Sequence, residues 1–493
     1  MVTPMVLEWV DKEFENLHFG DARLDRRLKL CVSQAASIGE STPDRTRSKA
    51  DLKATYRLVD NPKVHMEDIL AEHNQSTRDR CAAYERVYLV QDTTEFDLTK
   101  PQQQVVGAGP LGTDKRPGFF YHPLYAITQA GLPLGTVDQV IWTRDPKSLE
   151  VPAAERAAER KRACFEEKES CRWLEMMQSG EQIARSLPDT HFVMVADSEA
   201  DIGELLGQAS ELPENFDFII RQSRQHAITA ATDSATGESI AAASVDEALS
   251  QAQWRSTRTV SVGGREAPTR PDDQKRARKQ ARTSREAELR IRAITVTIAG
   301  PRRAGGGKLD DVTINVVEAL EQNPPEGEEP IRWVLFTTLP IVTTEDLDEV
   351  LDGYCLRWAV ELYFKTCKSG LKIEDMKYET LERYLVAFSI LTVVAWRVEY
   401  LKGATRTDPE APCDKYFTPE QWMAIMIFLH RRPVDPTQPP TMQQFMVSIA
   451  QLGGYINKKS QGPPGSKTIW RGMSRFATIV EAYAAFTQMT CGV

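Results

Sequence analysis

Tyr354, Arg357, Glu361 and Lys368 follow one another at offsets of three, seven and fourteen residues from the first, within the stretch Gly353 to Lys368. At about 100° per residue, a helix through this stretch carries all four side chains within roughly 60° of one another. Lys365 sits at the edge of the same face. A carboxylate flanked by a phenol, a guanidinium and ammonium groups suits a phosphodiester held against metal ions. The spacing equally fits a solvent-facing helix steadied by Glu361 to Lys365 pairing at i,i+4, and periodicity alone leaves the two readings level.

Two more carboxylates stand where strands would deliver them. Val87 to Val90 is a short apolar run that ends on Gln91-Asp92, and Phe192 to Ala196 is another that ends on Asp197. Strands that alternate with helices and present acids at their C-terminal ends predict an α/β sheet with a ligand site at its edge. Two carboxylates there can bridge a pair of magnesium ions, with a third from elsewhere in the chain fixing the second ion. A lone Asp at a strand end is more often a turn or cap residue, so the three acids carry weight only together.

The elements that must position these residues are readable from pattern. Leu24, Leu28, Cys31, Val32 and Ala35 recur at helical spacing behind Asp21 as N-cap, with Arg23, Arg26 and Arg27 on the other faces. Ala50 to Val59 resumes the helix after Pro43. Phe119 to Thr128, Leu134 to Trp142 and Phe216 to Arg221 read as strands, and Pro152 to Leu187 as a charged helical region. From Arg221 to about Pro330 the texture is β-rich, an insertion, because the buried-type strand Trp333 to Thr337 resumes afterwards. One long helix is predicted from Thr344 to Lys368, then an apolar one around Leu385 to Trp396, too short to span a bilayer. From Lys402 onward helix and loop mix, with prolines between Pro433 and Pro440.

Composition bounds the class. With 493 residues and 41% apolar content the chain builds several domains. Its first residues hold no apolar stretch of signal-peptide length, and its eight cysteines include no CxxC pair, which fits a reducing cytoplasm and no zinc site. Any metal is therefore expected on carboxylates. The net charge of −9 argues against a nucleic-acid partner until its distribution is seen. Arg255 to Arg292 holds twelve basic residues against five acidic ones, and Arg45, Arg47, Lys49, Lys53 and Arg57 stand against only Asp51. Such runs are as often solvated surface as DNA contacts.

Tyr-x2-Arg-x3-Glu-x6-Lys, here Tyr354, Arg357, Glu361 and Lys368, resembles the YREK signature of bacterial cut-and-paste DDE transposases. Asp92-Thr93-Thr94, Ala196 to Ile202 and Arg357 to Gly370 sit where that family has its catalytic segments. Gly20-Asp21, Tyr56-Arg57 before Asn61-Pro62, Asn323-Pro324-Pro325 before Trp333, and Leu452-Gly453-Gly454 extend the resemblance almost end to end. It implies a ribonuclease-H-like α/β core interrupted by the β-rich insertion, with helical N- and C-terminal domains. The implied divisions are 1–80 for transposon-end binding, 81–221 and 331–400 for the catalytic core, 222–330 for the insertion and 401–493 for dimerisation.

By the same resemblance Asp92, Asp197 and Glu361 ligate two Mg2+ ions, for which Mn2+ substitutes. Tyr354, Arg357, Lys368 and Lys365 hold phosphates, Trp333 stacks on a flipped base, and Arg221, Arg23, Arg26, Arg27 and Arg57 contact DNA. The partners implied are transposon-end and target DNA and a second copy of the chain, with no membrane, in a bacterial cytoplasm beside the nucleoid. Two other readings stay open: a ribonuclease-H-like nuclease that only hydrolyses, and a DNA-binding regulator that blocks an active transposase.

Overall fold

The structure is a computed structural model that describes residues 6–37, 43, 46, 48–100, 104–112, 116–264, 282–303, 307–458 and 462–490. The chain divides into two units, residues 1–156 with 358–493, and residues 157–357.

The sheet of the first unit is built, among the described residues, from β1 (Arg86–Gln91), β2 (Thr94–Asp97), β3 (Gly109–Pro110), β4 (Pro117–Thr128) and β5 (Pro133–Trp142). Every residue of β4 after Pro117 is buried, so its backbone groups need partners on both edges. Along one edge β1 and β2 pair antiparallel in a single register, Gln91 opposite Leu124 and Thr94 opposite Tyr121. Along the other lie β3 and β5, also antiparallel. The outer edge of β5 is covered by the helix Met66–Cys81. Arg78 donates to the Val137 carbonyl at 2.9 Å and Arg80 to that of Leu134 at 2.8 Å. These bonds occupy peptide groups that a bare edge would offer to another chain. The helix comes this close because position 135 is glycine, with φ +135°, where a Cβ would run into Thr77 and His73.

The apolar segment around Leu385 to Trp396 is the middle of a longer helix, Leu381–Thr407. It is apolar enough to cross a membrane, but 83% of its apolar window is buried inside the fold. It reads as a core helix, and its Trp396 indole donates to the Pro133 carbonyl at 3.2 Å. At the N-terminal end, Arg27 ties Ala22–Ser37 to Lys49–Val59 through Asp51 at 2.6 Å and Thr55 at 2.7 Å. At the C-terminal end, Pro419–His430 and Met442–Leu452 each begin with a capping box, Thr418 with Gln421 and Thr441 with Gln444. Phe417, Phe445 and Phe476 pack edge to face and join these helices to Ser466–Thr490.

In the second unit the strand order is β6 (His191–Ala196), β7 (Phe216–Arg221), β12 (Arg332–Thr337), β11 (Val312–Glu321), β10 (Arg285–Ile298), β8 (Ile228–Asp233), with β9 (Ser256–Val262) also on β10. β6 and β7 are parallel, whereas β7 with β12, β12 with β11, β11 with β10, and β10 with β8 and β9 pair antiparallel. β10 is long enough to carry β9 on Arg285 to Ile291 and β8 on Ile294 to Ile298 along one edge, with β11 along the other.

A buried cluster locks the first unit near its N-terminus. The Thr136 N–H donates to His73 Nε2 at 3.2 Å, so the other ring nitrogen carries the proton and donates to Glu13 at 2.5 Å. Arg80 completes the group with two bonds to Glu13, at 2.7 and 3.1 Å. Burial pushes the His73 imidazole below its ordinary value, against the pull of Glu13. The fold therefore favours the neutral ring. That stabilisation is present above the unfolded value near 6.5 and is lost as pH falls below it toward the folded value. The melting temperature should accordingly drop as pH falls below about 6.5, and His73→Gln should flatten that slope. Identical slopes in the two proteins would contradict the assignment.

Candidate functional site

The carboxylates fall where β1 and β6 run out. With Gln91 opposite Leu124 and Thr94 opposite Tyr121, Asp92 and Thr93 face Pro123 and His122. The ladder lapses at this station, where proline has no N–H to offer. Residues opposed across an antiparallel pair share a face of the sheet. Asp92 thus lies on the side of Tyr121 and Tyr125, and Thr93 on the side of His122. The Asp92 Oδ1 accepts the Thr93 N–H at 2.8 Å.

The helix Trp358–Lys365 packs against the two tyrosines on the Asp92 side. Tyr363 stacks on Tyr125 with centroids 4.8 Å apart, and its hydroxyl lies 3.3 Å from that of Tyr121. Phe364 meets Tyr121 edge-on at 6.2 Å. Glu361, half-buried, is carried on this helix one turn before Phe364 and Lys365, and Lys365 is exposed. Lys368 donates to the Thr94 hydroxyl at 2.7 Å, with its ammonium 5.2 Å from the Phe96 ring centre. Burial pulls Lys368 below the ordinary lysine value, while Glu374, Glu95 and Asp97 pull it back up. Asp92, Thr94, Glu361 and Lys368 therefore belong to one unit.

Periodicity predicts one helix from Thr344 to Lys368, and the structure corrects this. The helical ladder breaks at Arg357, whose N–H reaches the Tyr354 carbonyl three residues back at 3.1 Å. From Thr366 to Gly370 the coil widens to a π turn, closed by the Leu371 N–H on the Thr366 carbonyl at 2.9 Å. Of the residues drawn on that face, Tyr354 and Arg357 lie in the second unit, and Glu361, Lys365 and Lys368 in the first.

In the second unit Asp197 ends β6 and caps the short turn Ser198–Ala200, its Oδ1 accepting the Glu199 N–H at 2.8 Å. Two residues beyond the Glu199 side chain, Asp201 is fully buried. It accepts the Ser223 and Arg224 N–H groups at 2.7 and 3.1 Å and pairs with His226 at 2.7 Å. Burial works to raise the Asp201 carboxyl, but the His226 partner and the backbone N–H groups outweigh it and hold it below the usual range. Asp201 so fastens the segment after β7 to the turn that carries Asp197. Sequence reading passed over it, and only its place four residues after Asp197 marked it.

Tyr354 is the hub on this side. Its ring meets Trp333 edge-on at 5.6 Å, and its phenol is hydrogen-bonded by Arg221. Burial raises the phenol's pKa, and Arg221 and Arg357 oppose the shift. Trp333 itself is half-buried on β12, opposite Ala319, and is not among the core residues.

Asp92, Asp197 and Glu361 are all oxygen donors of the kind that magnesium takes, and each aspartate has one oxygen already turned by a backbone N–H. Among the described residues no three His, Cys, Asp or Glu side chains are gathered closely enough to hold a metal ion.

The basic runs divide sharply. Arg45 and Arg47, and the positions 265–281 inside the second run, lie outside the described residues, as does most of the Gly305-Gly306-Gly307 loop. Of the rest, Arg292 is bound to Glu318 at 2.5 Å, Arg285 to Glu321 at 2.8 Å and Glu328 at 2.6 Å, and Arg258 to Asp348 and Asp352. Arg290 and Arg292 lie over Trp254 at 4.6 and 4.1 Å. These arginines hold the sheet together. In the N-terminal region Arg27 is likewise engaged with Asp51 and Thr55, and Arg23 lies against Asp21 at 3.0 Å, whereas Arg26 and Arg57 are exposed on their helices.

Residues 7–64 match the family described as Transposase DNA-binding, residues 177–396 Transposase DDE domain, and residues 393–490 Transposase Tn5 dimerisation domain. Together the matches span about three quarters of the chain, and the chain belongs to the DDE transposases. Enzymes of this family use divalent metal ions. Its first and last regions make the likeness more particular: the chain is similar to the bacterial transposase of Tn5, with a DNA-binding region at one end and a dimerisation domain at the other. Asp92 falls outside the matched stretches, and Asp197, Arg221, Trp333, Tyr354, Arg357, Glu361, Lys365 and Lys368 fall within the DDE match. A cryo-EM structure of the piggyBac transposase synaptic complex with hairpin DNA aligns over 96% of this chain and 81% of that one. At 8% identity and a TM-score of 0.30, that likeness carries no statement about this protein.

The division of the arginines is testable. Arg292→Ala, which strips the nearly buried Glu318 of one partner, should lower stability by on the order of 3 kcal/mol and leave DNA affinity unchanged. Arg57→Ala should weaken DNA binding and reduce its salt slope without moving the melting temperature. Titrations at two salt concentrations beside melting curves measure both, and a drop in DNA affinity from Arg292→Ala alone would reverse the assignment.

Proposed function

We propose that this protein binds the ends of its transposon, cuts them free and joins their 3′ ends to target DNA, through a ribonuclease-H-like core in which Asp92, Asp197 and Glu361 are the metal ligands. The observation that carries the reading is Asp92 at the end of β1, on the sheet face against which the Glu361 helix packs. Two Mg2+ ions, or Mn2+ in their place, would supply Lewis acidity to the attacking and leaving oxygens. Lys368, Arg357 and Lys365 hold the phosphates of the scissile strand, and Tyr354, with Arg221 on its oxygen, donates its hydroxyl proton to a phosphate oxygen.

The reaction is a series of in-line displacements at phosphorus. Water breaks the bond from phosphorus to the 3′-oxygen at the transposon end, leaving a 3′-hydroxyl and a flanking 5′-phosphate. That hydroxyl attacks the opposite strand, forming a hairpin and releasing the flanking 3′-hydroxyl. A second water reopens the hairpin, and the recovered 3′-hydroxyl attacks target DNA. Each step exchanges one phosphoester bond for another or for water, so no covalent enzyme intermediate is required. The bend of the hairpin strains its stack, and a base turned out onto Trp333 relieves it, stacking being worth ~1–3 kcal/mol. The exposed Arg26 and Arg57, with Arg23, contact the transposon end, while Arg27 braces their helices. Residues 222–330 serve as the insertion, and two copies pair through the C-terminal domain to hold both ends together.

Incubation of the full chain with terminal DNA and Mg2+, read on gels for nicked, hairpin and joined products, tests the proposal. Asp92→Ala, Asp197→Ala and Glu361→Ala should each abolish cleavage and leave end binding intact. Near-normal turnover by any one of them removes that residue from the site. Hydrolysis without joined products would instead point to a simple nuclease. Trp333→Ala should slow hairpin formation or opening far more than first nicking. An equal loss at every step with a lowered melting temperature would return Trp333 to a packing role.

A further inference from the structure

Behind Asp92 a row of side chains runs through the sheet that no part of the proposed chemistry uses. His122 is completely buried in β4. Its Nε2 lies 2.9 Å from the Gln91 Oε1, an oxygen that can only accept, so Nε2 carries the ring proton. Its Nδ1 then accepts, and the Thr93 hydroxyl, 2.7 Å away, donates to it. The Thr93 N–H in turn holds the Asp92 Oδ1 at 2.8 Å. Gln91 and Thr93 flank Asp92 in the chain, both on the sheet face opposite its side chain, and one imidazole grips them both.

We propose that His122 and Thr93 are positioning residues that fix the peptide carrying Asp92 and, through the Thr93 N–H, the rotation of the Asp92 carboxylate toward divalent metal. The inference rests on the reading of Asp92 as a ligand. The need for such a device follows from the local backbone. Asp92 and Thr93 lie between two strands and outside the bounds of both. A metal ligand gains affinity when its peptide is ordered before the metal arrives, and the bond through His122 to the Thr93 side chain supplies such order. The hydroxyl of Thr93 is the part that matters, since a methyl of equal size cannot donate to Nδ1.

The test is Mn2+ binding by the full chain bound to its terminal DNA, followed by electron paramagnetic resonance of free Mn2+, beside cleavage as a function of Mn2+ concentration. Thr93→Val should weaken Mn2+ binding and raise the half-saturating concentration about tenfold, while Thr93→Ser stays within about twofold of the parent protein. His122→Asn, which keeps an acceptor where Nδ1 stood, should bind Mn2+ better than His122→Gln, which keeps only the contact with Gln91. Thr93→Val keeps the shape of threonine without its hydroxyl and Thr93→Ser keeps the hydroxyl, so the Thr93 pair carries the test if the buried histidine variants do not fold. Parent-like Mn2+ affinity in Thr93→Val, or equal impairment in Thr93→Ser, would overturn the proposal. Asp92→Asn separates the two readings. If it keeps Mn2+ affinity and cleavage, Asp92 is not a ligand. If it loses both while Thr93→Val does not, only the positioning role fails.

Discussion

The stacked rings of Tyr125 and Tyr363 set the spacing on which the rest of the first unit's chemistry depends. They press the helix Trp358–Lys365 onto β4, and Tyr121 and Phe364 extend the contact. Burial drives the Tyr121, Tyr125 and Tyr363 phenols and the Cys367 thiol well above their ordinary values, so the layer between sheet and helix is neutral. The charges of Asp92, Glu361 and Lys368 stand at the rim of this apolar layer. A low-dielectric floor strengthens every electrostatic interaction above it, which is useful where a charged phosphodiester must be held. The aromatic packing is thus a spacer and an insulator at once.

Acidic net charge and a DNA partner are reconciled by where the charges go. Glu318 and Glu321, both buried, and Glu328 take Arg285, Arg292 and Arg332 as partners, so these arginines are spent inside the fold. Those arginines satisfy carboxylates that would otherwise be stranded inside a sheet. Among the described residues of the N-terminal region, Arg26 and Arg57 are by contrast exposed on their helices.

Much of the scaffold was legible in the sequence because burial imposes simple patterns. Phe216 to Arg221 is a strand with the bounds its apolar run marks, and the two aspartates do terminate their strands. What was not legible depends on register. Arg292 faces Glu318 directly across β10 and β11, though 26 residues separate them in sequence, and no local pattern announces the pair. His122 reads as a lone histidine in an apolar strand until the pairing of β1 and β4 sets it opposite Thr93. The break at Arg357 was missed for a different reason. Helix-forming residues run through it on both sides, and Arg357 itself keeps right-handed helical angles, so no local preference marks the lapse.

The π turn at Thr366–Gly370 has a consequence for how this chain can change length. A turn closed from residue 366 to residue 371 accommodates one residue more than an α turn does. Removing any single residue there would let the coil relax to ordinary α geometry at little conformational cost. The helix would survive, yet a loss at Thr366 or Cys367 would rotate Lys368 about the helix axis relative to Glu361. Lys368 would then leave Thr94, since that contact is made with the extra residue in place. The segment therefore tolerates exchange of side chains far better than it tolerates loss of one, and its length is as much a part of the site as its composition.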